Sequence, residues 1–191
     1  RRLDIILKQF LEAISPTQPQ RDQLNIHDLL KDTLELLEPE LKERGVQISM
    51  NLSEHMPILP MDCTQIKQAL YNLIKNAFQS LPADGGLIDI NSHYSDYDIE
   101  ITIRDHGSGI SPEVMGSIFE PYHSTKKSGT GLGLMIVRRI IREHGGEIEL
   151  ESKEGEGSTV TISLPRHDQN VRLLENSPSS VIDVEPTNNH S

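Results

Sequence analysis

Apolar residues follow two rhythms along the chain: three- and four-residue spacing in four stretches, and alternation in several shorter ones. The first is the period of an amphipathic helix, the second that of a half-buried strand. Leu3, Ile6, Leu7, Phe10, Leu11 and Ile14 predict a helix over 1–14, ended before Pro16 and Pro19. Further helices are predicted from Asp28 to about Arg44, from Asp62 as N-cap to Leu81, and from about Leu132 to His144. Gly145 and Gly146 stop the last of these. Strands are predicted at Leu24–Ile26, Val46–Leu52, Leu87–Ser92, Tyr97–Asp105, Glu147–Lys153 and Ser158–Leu164, with a short helix at Pro112–Ile118.

Helices and strands in mixed order, with hairpins among them, predict an α/β fold: a two-layer sandwich with a mixed β-sheet, since strands joined by a tight turn run antiparallel. The helix over 1–14 stands behind a linker with its own apolar stripe. It either meets a partner outside the main domain or folds back on it. From His167 onward large apolar residues are few and Ser and Asn many, a composition that predicts disorder.

Composition narrows the function. The net charge of −11 argues against nucleic-acid binding and against an anionic membrane surface, both of which need clustered Lys and Arg. One segment departs from that average: residues 121–145 hold Lys126, Lys127, Arg138, Arg139 and Arg142 against Glu143 alone, which suits a triphosphate. Cys63 is the single cysteine, which excludes internal disulfides and Cys-rich zinc sites. No apolar run approaches the roughly 18 residues of a membrane span, and a cytoplasmic setting is expected. The chain opens on Arg1 rather than Met, so it is expected to be a piece of a longer protein.

Three groups of residues could carry chemistry. Asn72 and Asn76 lie four apart on one stripe of the helix that begins at Asp62. Their amide oxygens can complete the shell of a hard cation, or they can tie the helix to a neighbouring loop, and spacing alone favours the tie. Asp105 shares the parity of Ile99, Ile101 and Ile103 and so points to the core side, where a carboxylate needs donors. The exocyclic amine of a purine is one suitable donor; capping its own turn is the other role open to it. Gly107 and Gly109 follow and permit close backbone approach.

The third group, Gly129, Thr130, Gly131, Leu132 and Gly133, runs into the last long helix, where free N–H groups make an anion site. It is not the dinucleotide fingerprint, because Leu134 stands where that pattern needs Gly; nor is it a P-loop, because the chain has no Gly-Lys dipeptide. Lys126 reads as a phosphate contact, and Arg138, Arg139 and Arg142 as a solvated helix face. The eight histidines show no metal-ligand spacing.

In this order the groups resemble the boxes of bacterial sensor histidine kinases. Asn72-Leu73-Ile74-Lys75-Asn76-Ala77 resembles the N box, and Asp105-His106-Gly107-Ser108-Gly109-Ile110 the Asp-x-Gly-x-Gly box. Ile118–Lys126 is similar to the Phe box, Gly129–Leu134 to the second glycine box, and Gly155-Glu156-Gly157-Ser158-Thr159 to the family's ending. The likeness covers about residues 24–165. It implies the Bergerat fold of the gyrase, Hsp90, histidine kinase and MutL class: a mixed sheet covered on one face by three helices.

The resemblance implies ATP and Mg²⁺ as cofactors. Asn76, with Asn72, would meet Mg²⁺, and Asp105 would accept from the adenine amine. Gly107, Gly109 and Ile110 would shape the adenine pocket, with Thr159 lining its floor. Lys126 and the 129–133 backbone would hold phosphates. The short lid between Phe119 and Gly129 is similar to that of nitrogen-regulation-type kinases. Residues 1–15 then look like the end of a dimerisation helix, 16–23 a hinge, 24–166 the catalytic domain and 167–191 a disordered tail.

Two departures shape the reaction. ATP-hydrolysing cousins place a Glu four residues before the metal-binding Asn; here Asn72 stands there and cannot take a proton from water. The His-Glu-x-x-Asn-Pro phosphoacceptor box is missing, so no catalytic histidine lies in this chain, which alone is expected not to autophosphorylate. Transfer of the γ-phosphate to a histidine on a separate dimerisation domain is the expected reaction. A cognate response regulator and, in the full-length protein, a homodimer are the implied partners. The alternatives are a stand-alone ATPase switch of the same fold and a binding module that kept the fold.

Overall fold

The computed structural model describes residues 19–116, 118–119 and 132–166. A two-stranded antiparallel sheet pairs β1 (Asp22–Asn25) with β3 (Ile58–Met61). The main sheet holds β2 (Val46–Asn51), β4 (Gly86–Tyr94), β5 (Asp98–Asp105), β6 (Glu147–Lys153) and β7 (Gly157–Pro165) in the order β2-β4-β5-β7-β6. β2 and β4 are parallel and the other pairs antiparallel, so the sheet is mixed, as predicted.

Alternation places the core. Ile99, Ile101, Ile103 and Asp105 of β5 are buried while Glu100, Thr102 and Arg104 between them are not. Ile88 and Ile90 of β4 and Ile162 and Leu164 of β7 continue the buried face on either side. Against it lie α1 (Ile26–Glu43), α2 (Cys63–Ser80) and α4 (Gly133–Glu143), each through one apolar stripe. Ile66, Leu70 and Ile74 of α2 and Ile140 and Ile141 of α4 are fully buried between helix and sheet. α3 (Pro112–Met115) is a single turn after β5.

Capping sets the helix starts. Asp62 is the N-cap of α2, its Oδ1 accepting the Gln65 N–H at 3.0 Å. Asn25 caps α1 by accepting the His27 N–H at 2.9 Å, so Ile26 opens the helix rather than closing the predicted Leu24–Ile26 strand. β1 accordingly begins at Asp22, inside the expected 16–23 hinge. The short helix stops at Met115, not Ile118. β3 was not predicted: it is four residues long and contains Pro60, and its pairing with β1 is what makes it a strand. The predicted 1–14 helix and the 167–191 tail lie outside the described residues.

Candidate functional site

α2 meets both halves of the site along its second half, carrying one and packing against the other. Asn72 and Asn76 share the face turned toward the start of α4. A Cβ built on Gly133 would lie 3.5 Å from Asn72 Oδ1 and 3.6 and 3.7 Å from Nδ2 and Oδ1 of Asn76. The Asn72 Nδ2 donates to the Gln68 carbonyl at 3.0 Å, which leaves its oxygen on the Gly133 side. Leu132, the N-cap of α4, is fully buried and makes no side-chain cap bond. A helix start whose N-cap side chain offers no acceptor favours an anion. Two amide oxygens beside it suit a hard cation that keeps waters and takes an anion's oxygens as further ligands. Among the described residues no three His, Cys, Asp or Glu gather that could hold a metal without the anion.

One turn after Asn76, the Ser80 carbonyl meets the other half. It accepts the Ser108 N–H at 3.1 Å, and a Cβ on Gly107 would come within 2.4 Å of it. No side chain fits there. On the opposite side of the same turn, Gly109 has φ +65° and a Cβ there would lie 2.0 Å from the Lys153 carbonyl. The Gly155 N–H donates to Ser108 O at 2.7 Å, and the Ile110 N–H to Ser152 Oγ at 2.9 Å. The Gly-x-Gly spacing is thus set by close packing on two sides: α2 against the first glycine and the β6–β7 hairpin against the second.

Asp105 sits at the end of β5 with 5% of its surface exposed, and its Oδ1 accepts the Gly107 N–H at 2.9 Å. The turn-capping role is therefore real and occupies one oxygen; a carboxylate has lone pairs on both. Asp105, Gly107, Gly109 and Ile110 lie together, as do Asn72, Asn76, Leu132 and Gly133. Lys126, Gly129, Thr130 and Gly131 lie outside the described residues.

Thr159 is not where it was expected. It pairs with Arg104, whereas Asp105 pairs with Ser158, so Thr159 points to the sheet face away from Asp105. The residue sharing Asp105's face is Ser158, itself buried and hydrogen-bonded to Ser152 at 2.9 Å. Counting parity back from the buried Ile162 would have found it, given the β5–β7 register.

Away from this centre, α4 turns a shallow hollow of about 490 Å³ outward, lined by Phe119, Met135, Arg138, Arg139, Arg142 and Glu143. Arg138 stacks over Phe119 at 5.3 Å and Arg139 approaches Glu143 at 3.6 Å, so two of the three arginines expected on a solvated face are half-buried. His27 and His144 are held below the ordinary imidazole range, chiefly by burial. His27 meets Ser92 Oγ at 2.9 Å and His144 joins α2 to α4, so both pack structure away from Asp105.

A family model described as "Histidine kinase-, DNA gyrase B-, and HSP90-like ATPase" matches residues 61–168, which include Asn72, Asn76, Asp105 and Ser158. The sensor histidine kinase ZraS of Escherichia coli is 34% identical over 164 residues, covering 86% of this chain and 35% of ZraS. The chain thus spans about a third of the length of that curated relative. The catalytic domain of the histidine kinase ThkA superposes with a TM-score of 0.69 at 31% identity, over 76% of this chain and 95% of that one. ThkA in complex with the response regulator protein TrrA superposes with a TM-score of 0.74 at 28% identity, over 87% of this chain and 48% of that one.

Proposed function

The chain belongs to the histidine kinase-, DNA gyrase B- and HSP90-like ATPase family, and we propose that it is the ATP-binding catalytic domain of a two-component sensor histidine kinase. The observation that carries this reading is the pair of half-sites that meet α2: a buried Asp105 at the end of β5 held beside a glycine turn, and the Asn72–Asn76 pair of α2 facing the start of α4.

Asp105 receives the adenine amine, and the Gly107–Ile110 backbone forms the wall beside it, with Ser158 on the same face. Leu132 and Gly133 bring the first N–H groups of α4 to the phosphates; by resemblance Lys126 and the 129–131 backbone add to them. Mg²⁺, held through the oxygens of Asn76 and Asn72, would neutralise charge on the β- and γ-phosphates. The rest is positioning: a histidine nitrogen from a dimerisation domain attacks the γ-phosphorus in line, the bond to the β–γ bridging oxygen breaks, and ADP leaves. Asn72 stands where a general base for water would sit and its amide takes no proton, which favours transfer over hydrolysis.

On this reading residues 1–15 end the dimerisation hairpin, 16–23 link it to the catalytic domain at 24–166, and 167–191 form a tail. The phosphorylated histidine then serves a response regulator, as the complex of ThkA with one suggests for its relative. Homodimerisation belongs to the full-length protein, and the domain works in the cytoplasm. No helix among the described residues is long and apolar enough to cross a membrane.

Calorimetry of the chain with ADP in Mg²⁺ buffer tests the reading. Wild type is expected to bind and Asp105→Asn to lose measurable affinity, with no steady phosphate release from ATP. A wild type that ignores ADP, or an Asp105→Asn that binds equally well, would overturn it.

A further inference from the structure

One cross-sheet row runs from Ile88 through Asp105 and Ser158 to Ser152. Three of its members are polar, while the next positions on that face, Ile90, Ile103, Val160 and Leu150, are apolar. Ser152 stands at the end of the row, on β6, and its hydroxyl has three neighbours. The Ile110 N–H donates to it at 2.9 Å, the Gly157 carbonyl accepts at 3.0 Å, and Ser158 Oγ lies at 2.9 Å.

One hydroxyl carries one proton and two acceptor positions. Ile110 takes one acceptor position. If the Ser152 proton goes to Gly157 O, Ser158 donates into the second position; if it goes to Ser158, the Ser158 proton is released toward the Asp105 side. Either way Ser152 fixes what Ser158 presents beside Asp105, and it also holds the end of the Gly107–Ile110 turn. Backbone atoms of Ser80 and Gly155 hold Ser108 at the middle of that turn. Ser152 holds its end by a side chain, the kind of tie a substitution can remove.

We propose that Ser152 is a positioning residue for base selectivity: it keeps the Gly107–Ile110 turn and the Ser158 hydroxyl in register with Asp105, so that the site takes adenine over guanine. The inference rests on the nucleotide-binding reading above. Ser152 touches no nucleotide atom on this account; it acts through Ile110 and Ser158. Losing its oxygen leaves the half-buried Ile110 N–H without its acceptor. The turn then moves relative to Asp105, and contacts to the base weaken while contacts to the phosphates, made from α2 and α4, do not.

The test titrates ADP and GDP into the 191-residue chain by calorimetry in Mg²⁺ buffer, with wild type, Ser152→Ala, Ser152→Cys and Ser152→Thr. In Ser152→Ala, ADP affinity is expected to fall about tenfold with GDP affinity changed less than about threefold, so that selectivity shrinks. Ser152→Thr, which keeps the hydroxyl, is expected to restore most of the selectivity. Ser152→Cys keeps the shape but is a poor acceptor; it is expected to follow Ser152→Ala, and it decides the question if the alanine variant does not fold. Equal loss for both nucleotides, or ADP affinity within twofold of wild type despite a lower melting temperature, would overturn the proposal by reducing Ser152 to a structural contact. A wild-type chain that binds neither nucleotide would instead overturn the nucleotide-binding reading itself.

Discussion

Asp62 donates its backbone N–H to Nε2 of His144 at 3.0 Å, so an imidazole joins the start of α2 to the end of α4. Because the partner is a donor, Nε2 carries no proton; Nδ1 carries it and donates to the Ile140 carbonyl at 2.8 Å. Nearby, Asp62 Oδ2 accepts the Gln20 N–H at 2.8 Å and Arg21 donates to the Glu143 carbonyl at 2.7 Å. The chain entering the domain is thereby fastened to the far end of the helix whose start faces Asn72 and Asn76.

This arrangement requires neutral His144, and stability should depend on pH accordingly. Burial lowers its pKa most; the Ile140 carbonyl opposes that, Arg21 adds to the lowering, and Asp62 and Glu143 oppose it. The unfolded chain, near the ordinary value of about 6.5, therefore binds this proton at higher pH than the folded one. The contribution is complete above that value and is lost as pH falls from it through the lower folded value. His27 is lowered too, chiefly by burial, and contributes to the pH dependence with the same sign. The informative quantity is thus the difference between wild type and His144→Gln. Melting temperature is expected to fall more steeply for wild type between about pH 7.5 and pH 5; parallel curves would show that His144 does not titrate as described.

Gly109 is expected to tolerate no side chain. A left-handed backbone costs a non-glycine residue about 1–2 kcal/mol, and the forced shift of the Lys153 carbonyl adds overpacking of about 1–3 kcal/mol. Gly109→Ala should lower the urea midpoint by an amount equivalent to about 3 kcal/mol and weaken ADP binding with it. An unchanged midpoint would mean that the β6–β7 hairpin yields at this contact and does not clamp the turn.

Much of this was legible in the sequence because it depends on periodicity. The three long helices, the buried parity of Ile99–Asp105, the Asp62 cap and the glycine stop after His144 each follow from local spacing. What depends on pairing was not. β3 has no period of its own and exists through β1. Whether Ser158 or Thr159 shares the face of Asp105 is a single-residue offset, which reverses the face a side chain takes, and it follows from the pairing of Asp105 with Ser158. Asn72 and Asn76 could be read as metal ligands or as a tie to a neighbour. The structure shows what they face, the start of α4 at Gly133, which no spacing within α2 could supply.

Gly133 separates the fold from the function at this site. A Cβ there would make ordinary contacts, 3.5–3.7 Å from the two amides, and alanine is the better helix former by about 0.5–1 kcal/mol. Gly133→Ala is therefore expected to melt at or above the wild-type temperature. The added methyl nevertheless occupies the space between the amide oxygens and the first turn of α4, where a cation and its phosphate oxygens would have to meet. The gain in ADP affinity on adding Mg²⁺ is then expected to fall about tenfold in the variant, while affinity without Mg²⁺ changes little, because Asp105 and its turn are untouched. Calorimetric titration with and without Mg²⁺ reads both numbers on one protein. A variant with the full Mg²⁺-dependent gain would mean that the cation does not sit between Asn72, Asn76 and the start of α4, and would leave the asparagines as the tie between helices that their spacing first suggested.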